Sequence, residues 1–119
     1  MDKRVRMIAE ITISDYQAAV DILTRAAKHI EDNLPGVLAW DIFIDKETGQ
    51  MFMHEVFSDE EALLVYERSM TELGYREQLG RYTAIDRTIG LGSVSDPHLA
   101  EELSQFGAVR VERTLGVDR

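Results

Sequence analysis

The sequence predicts an α+β fold, with one antiparallel sheet, helices on one face of it, and an extra C-terminal helix and strand. Three observations predict it. Stretches with a period of two alternate with stretches whose apolar residues recur every three to four positions. The two kinds follow one another in the order β-α-β-β-α-β, then α-β. The middle two strands are separated by the short run Lys46-Glu47-Thr48-Gly49, which leaves room only for a hairpin.

Each element has its own signal. In residues 5–13, Val5, Met7, Ala9, Ile11 and Ile13 alternate with the residues between them, as one well-buried strand face requires. Ser14-Asp15-Tyr16-Gln17 reads as a capping box, with Ser14 as the cap. The helix after it carries Ala19, Leu23, Ala26, Ala27, Ile30 and Leu34 on one stripe, and Leu34-Pro35-Gly36 stops it. The second strand, 37–45, is apolar on both faces: Leu38, Trp40, Ile42 and Ile44 on one, Val37, Ala39 and Phe43 on the other. A sheet with one wet face does not look like this, so the second face is expected to be covered by a partner subunit. The third strand, 50–57, places Met51, Met53, Glu55 and Phe57 together and Gln50, Phe52, His54 and Val56 opposite. Ser58-Asp59-Glu60-Glu61 is a second capping box, and Ala62, Leu63, Tyr66, Met70 and Leu73 form the stripe of its helix, ended by Gly74. Residues 75–84 read as either a short helix or an ordered loop anchored by Tyr75, Leu79 and Tyr82. A strand is expected over 85–94. A helix follows from Ser95-Asp96-Pro97, with Leu99, Leu103 and Phe106 inward and Gly107 at its end, and then a last strand from Val109 to Leu115. The first six elements make the split βαβ, ferredoxin-like pattern.

A chain of 119 residues suits one domain, 1–119, with a core over about 5–94 and an α-β extension over 95–119. It is long enough to bury about two-thirds of its unfolded surface. There is no cysteine, which removes disulfides, thiolate metal sites and cysteine nucleophiles and suits a cytoplasmic protein. No apolar run nears the roughly 20 residues that span a bilayer, and the N-terminus leads straight into a strand pattern rather than a signal peptide. The net charge of −9 argues against nucleic acid and anionic membranes as partners.

The run Leu38-Ala39-Trp40-Asp41-Ile42-Phe43-Ile44-Asp45, the tight turn, and Phe52-Met53-His54-Glu55-Val56-Phe57-Ser58-Asp59-Glu60-Glu61-Ala62-Leu63 resemble the signature of the antibiotic-biosynthesis-monooxygenase group of dimeric α+β barrels. Gly36, Glu55, Phe57, Ala62, Leu63 and Ser69 sit where that signature places its glycine, its Glu-x-aromatic strand end and its acidic-Ala-Leu helix. The resemblance covers residues 5–75 well and implies a homodimer whose two sheets face each other. It also implies a cofactor-independent monooxygenase acting on a quinol or polyphenol, or else a non-catalytic small-molecule binding module or an isomerase or lyase on the same barrel. The chain departs from the group at two points. Tyr66 stands where many members carry His, and the single Asn is Asn33, far from the first strand where active members often use one.

Under that reading the candidate catalytic residues are His54, a general base toward a phenolic proton, and Tyr66, a hydrogen-bonding partner with a reference pKa of about 10. Trp40, Phe52 and Tyr82 are candidates for binding a small apolar or aromatic ligand. Each has a plainer alternative: His54 as an edge histidine, Trp40 as core or interface, and the tyrosines as packing groups with their hydroxyls at the surface. Glu55 needs a partner if buried and reads as structural or interfacial, paired across the sheet or the dimer. Arg81 and Arg87 are candidate partners for it or for an anionic substrate, with surface exposure as their plainer reading. His29, His54 and His98 are far apart, and no paired metal-ligand spacing appears, so neither a metal nor another cofactor is expected.

Overall fold

A computed structural model describes residues 2–92, 96–105 and 107–117. Along the chain run β1 (Val5–Ile13), α1 (Tyr16–Asn33), β2 (Val37–Asp45), β3 (Gln50–Phe57), α2 (Glu60–Glu72), α3 (Tyr75–Gly80), β4 (Thr83–Leu91), α4 (Pro97–Gln105) and β5 (Val109–Val111). The strands form one sheet in the order β2-β3-β1-β4-β5. Pairing is antiparallel from β2 through β4, the ferredoxin-like arrangement. Helix α4 then acts as a crossover, so β5 lies parallel to β4 and the sheet is mixed at that edge.

The alternation in β1 is realised in full, with Val5, Met7, Ala9, Ile11 and Ile13 all buried. They face Ala19, Leu23, Ala26 and Ile30 of α1, Leu63, Tyr66 and Met70 of α2, and Leu99 and Leu103 of α4, in two adjoining apolar clusters. Trp40 packs against both clusters and marks their junction. Among the described residues no helix covers the opposite sheet face. Phe43 and Phe52, cross-strand partners, stand there 59% and 41% exposed.

Several expectations are corrected. The caps of α1 and α2 are Asp15 and Asp59, not Ser14 and Ser58. Each carboxylate accepts from the backbone N–H three residues on, Ala18 at 3.0 Å and Ala62 at 2.8 Å. A charged acceptor makes the stronger bond to these unsatisfied amides. Leu38 does not share a face with Trp40: the register slips between Val37 and Ala39, making Leu38 an extra, exposed residue in a bulge. Leu73 is also exposed. Residues 75–84 become α3 and the start of β4, which begins at Thr83 rather than residue 85. β5 stops at Val111, short of Leu115, and both Val109 and Val111 are exposed. Ser95 and Phe106 lie outside the described residues, as does the expected end of β4 at residue 94. Pro97 does open α4, capped by Asp96, whose carboxylate accepts from Leu99 N–H at 3.0 Å.

Gly36 has a steric task. A Cβ at that position would lie 2.6 Å from the Ala62 Cβ, so only glycine lets the chain entering β2 pass over the first turn of α2. That approach, together with the bond from Ser58 N–H to the Gly36 carbonyl at 2.8 Å, sets α2 over the sheet and brings Tyr66 above β3.

Candidate functional site

Between the helix-covered sheet face and α2 and α3 lies a cavity of about 250 Å³. Its wall is mostly apolar. Met7, Met51, Met53 and Met70 all line it. Methionine is unbranched and adapts to irregular shapes. α3 contributes Tyr75, Arg76 and Leu79 to the wall, and β4 contributes Thr83, Ile85 and Thr88.

One carboxyl is set into this wall. Glu55, 8% exposed, shares the inward face of β3 with Met51 and Met53. The β2–β3 register places Trp40 directly across from it, and Phe57 tilts against Tyr66 with ring centroids 5.1 Å apart. The indole N–H of Trp40 is shared, 3.1 Å from Glu55 Oε2 and 3.1 Å from the Tyr66 hydroxyl oxygen. Tyr66 in turn hydrogen-bonds the carboxyl. Burial pushes the Glu55 carboxyl up to about 7, and the nearby negative charge of Glu67 acts in the same direction. The bonds from Tyr66 and Trp40 and the charge of Arg76 pull it back. Tyr66 is raised well above the ordinary phenol value, first by burial and then by the Glu55 charge, so it keeps its proton as a donor. Arg76 on α3 forms an ion pair with Glu67 on α2, and both line the cavity beside Glu55. The result is an apolar chamber with one carboxyl near half-ionisation at neutral pH, held by two donors, a composition suited to moving a proton to or from a bound ligand.

The structure brings together some of the expected residues and separates others. Trp40 and Tyr66 line the cavity and touch each other. His54 and Phe52 lie on the opposite, helix-free face, where His54 Nδ1 is 3.6 Å from an Asp41 carboxylate oxygen. Tyr82 sits in the turn before β4, its carbonyl accepting from Ser14 N–H at 2.8 Å, and is not among the lining residues. Glu55 finds its partners in Trp40 and Tyr66 rather than in the candidate arginines: Arg81 pairs with Glu77, and Arg87 stands opposite Glu10 on β1. Glu67 and Arg76 were not anticipated. The signal for Glu55 lay in the hairpin, since pairing Asp45 with Gln50 and counting back five residues on each strand sets Trp40 across from Glu55. No comparable signal points to Arg76, because α3 is too short to show a periodicity.

A serine–histidine contact also appears between the helices, with Ser69 Oγ 2.8 Å from His29 Nε2. The Asn33 amide donates to the His29 carbonyl at 3.1 Å and lies 3.2 Å from Nδ1. That orientation makes Nδ1 the acceptor and Nε2–H the donor to Ser69. The contact clasps α1 to α2 and leaves Ser69 without a base. Among the described residues no group of three or more histidines, cysteines or carboxylates is placed to hold a metal ion. None of their helices is long and apolar enough to cross a membrane.

No family model matches the sequence, and no curated protein matches it. Solved structures do. MupZ from Pseudomonas fluorescens superposes with a TM-score of 0.77 at 20% identity, over 100% of this chain and 91% of that one. SnoaB from Streptomyces nogalater, a cofactor-independent oxygenase, gives a TM-score of 0.66 at 11% identity, over 80% of this chain and 97% of its own. A protein from Caulobacter crescentus named as a candidate antibiotic biosynthesis monooxygenase gives 0.65 at 16% identity, over 79% and 92%. The match to MupZ takes in the C-terminal helix and strand; the other two leave about a fifth of this chain unmatched. What the chain shares with the proteins named as antibiotic biosynthesis monooxygenases is their fold, a ferredoxin-like α+β sheet with helices on one face, here extended by α4 and β5.

Proposed function

We propose that the protein is a cofactor-independent monooxygenase that takes a flat, mostly apolar quinol- or polyphenol-like substrate into the cavity between sheet and helices. The observation that supports this most is Glu55, a carboxyl at about 7 in an apolar wall, hydrogen-bonded by Trp40 and Tyr66. As its carboxylate it takes the proton from a phenolic oxygen or an activated CH₂. The substrate anion, held away from water, is electron-rich enough to pass an electron to O₂. Recombination forms a C–O bond, Glu55 returns its proton to the peroxide to give a hydroperoxide, and loss of water leaves a carbonyl, so that CH₂ and O₂ become C=O and H₂O. Trp40 and Tyr66 orient Glu55 and, with the methionines, the ring system. Positioning and electrostatics are the protein's contributions to such a reaction.

The test is oxygen consumption with hydroquinones, anthrones and flavonols, without added metal or flavin. Uptake above the protein-free rate is expected, falling about 100-fold in Glu55→Gln, the lower end of what a general base contributes. Uptake unaffected by that substitution would remove the mechanism. The same proton-transfer group suits an isomerase or lyase, in which Glu55 returns the proton to a different atom; product formed equally fast without oxygen would establish that reading instead. Binding without turnover under either condition would leave a small-molecule binding module.

We further propose that two copies pair through the helix-free sheet faces. Phe43, Phe52 and Leu38 are exposed there, and β5 extends the face with Val109 and Val111 alongside Ile89 and Leu91. Exposed apolar surface of this extent on a sheet is typical of an association site. On this reading His54 and Phe52 belong to the subunit interface, and His54→Ala keeps oxygen uptake within about threefold of the unsubstituted rate, far from the loss expected of a base.

A further inference from the structure

The charges on the cavity wall carry an inference about which ligands can enter. It rests on the proposed reading of the cavity as the substrate site. Among the described lining residues, three are charged or readily charged: Glu55 on β3, Glu67 on α2 and Arg76 on α3. Tyr66 and Tyr75 are the other titratable groups there, and Tyr66 is held protonated by burial and by Glu55. The remaining lining is aliphatic, thioether, indole or hydroxyl. Arg76 is the one cation, and its guanidinium is bound to the Glu67 carboxylate, with the two side chains 35% and 20% exposed. It also lies close enough to Glu55 to act on that carboxyl. One positive charge therefore faces two acids.

We propose that the Glu67–Arg76 pair is a charge filter: by engaging the one cation among the described lining residues, it restricts the cavity to flat apolar ligands that arrive uncharged, such as phenols and enols, and turns away ligands of the same shape that already carry a carboxylate, sulfate or phosphate. An anionic ligand would lose its water and meet only a cation already paired with Glu67 and close to Glu55, and a buried charge without a counter-charge of its own is strongly disfavoured. A neutral acid meets no such cost. When its proton passes to Glu55 inside the cavity, the negative charge moves from the carboxylate to the ligand, and the total charge of the site is unchanged. Desolvation falls on a charge that was already buried. The filter and the base thus work in sequence: the pair admits the neutral acid, and Glu55 ionises it.

The test is a binding measurement, independent of turnover. Purified protein is titrated at neutral pH with 2-naphthol, 2-naphthamide and 2-naphthoate, by calorimetry and by the emission of Trp40, the chain's single tryptophan and part of the cavity wall. The amide matches the carboxylate in shape and differs in charge. Both neutral ligands are expected to bind at least tenfold more tightly than 2-naphthoate. In Glu67→Gln, where Arg76 loses its carboxylate partner, the ratio of naphthoate to naphthamide affinity is expected to rise at least fivefold. The double variant Glu67→Gln/Arg76→Gln, which removes both charges, is expected to return it to near the starting value. Naphthoate binding as tightly as naphthamide to the unsubstituted protein would overturn the filter, and this arm needs no variant to fold. An unchanged ratio in a folded Glu67→Gln protein would overturn it as well. Failure of all three ligands to bind would remove both the filter and the cavity as a ligand site. Charge discrimination without oxygen uptake would uphold the filter while removing the oxygenase reading.

Discussion

At the scale of single residues, Glu55 has the largest consequences. Its carboxyl sits at about 7 in the folded protein against an ordinary value of 4.5, so between those values the folded state keeps a proton that the unfolded chain has lost. Stability from this group is fully present below about 4.5 and is lost as pH rises through about 7. The difference amounts to roughly 3 kcal/mol. Denaturant unfolding at a series of pH values should show stability falling over this window, and Glu55→Gln, which cannot ionise, should flatten the dependence. A rise in stability from pH 5 to 7 that disappears in the variant would contradict the assignment. Tyr66→Phe removes a donor that favours the carboxylate, so the ascending limb of the pH–rate profile should move to higher pH. A shift to lower pH would mean that Tyr66 holds the protonated form. Much of this site was legible before the structure. Trp40 and Tyr66 are candidates in the sequence, whereas Glu55 reads there as a structural or interfacial acid that needs a partner if buried. What alternation alone could not show was which strand face meets the cavity. His54 and Phe52 have the opposite parity to Glu55, and choosing them together with Trp40 combined residues from two sides of one sheet.

At the scale of elements, the helix starts were legible to within one residue, and the error is chemically instructive. Ser-Asp precedes both α1 and α2, and in each the aspartate takes the cap, because its carboxylate is the better acceptor for N–H groups at the positive end of a helix. Asp59→Ala should cost about 1 kcal/mol of stability and Ser58→Ala much less, as chemical denaturation would show; the reverse order would restore the serine cap. Gly36→Ala should cost about 1–3 kcal/mol, because its methyl would meet the Ala62 Cβ at 2.6 Å and lift α2 off the sheet. The β2 bulge was invisible in sequence. Leu38 fits an alternating pattern as well as any leucine, and only the pairing with β3 shows that it is extra. Helix α3 spans six residues, under two turns, too few for a periodic signal to separate helix from loop.

At the scale of the whole molecule, the order of elements narrows the topology without fixing it. A hairpin between β2 and β3 and helical connections elsewhere leave few ways to arrange four strands, and the observed β2-β3-β1-β4 order is one of them. The parallel addition of β5 was not specified, since an appended helix and strand can join either edge. The apolar second face of β2, legible in the sequence, is the exposed surface of the structure, and the two-copy proposal follows from it. Phe43→Arg should halve the mass seen by light scattering at micromolar concentration, since Phe43 is 59% exposed on that face and a buried arginine there would face its own copy or apolar surface. Unchanged mass would place the interface elsewhere or leave the chain alone.

The methionines offer an unusual spectroscopic opportunity. The chain has five, and Met7, Met51, Met53 and Met70 all border the cavity. Isotopic labelling of the methionine methyl groups alone would therefore produce a nuclear magnetic resonance spectrum in which four of five signals report on one chamber. A ligand settling against β1 would move Met7, one lying along β3 would move Met51 and Met53 together, and one tucked beneath α2 would move Met70. The orientation of a bound molecule could then be read in solution from which peaks respond.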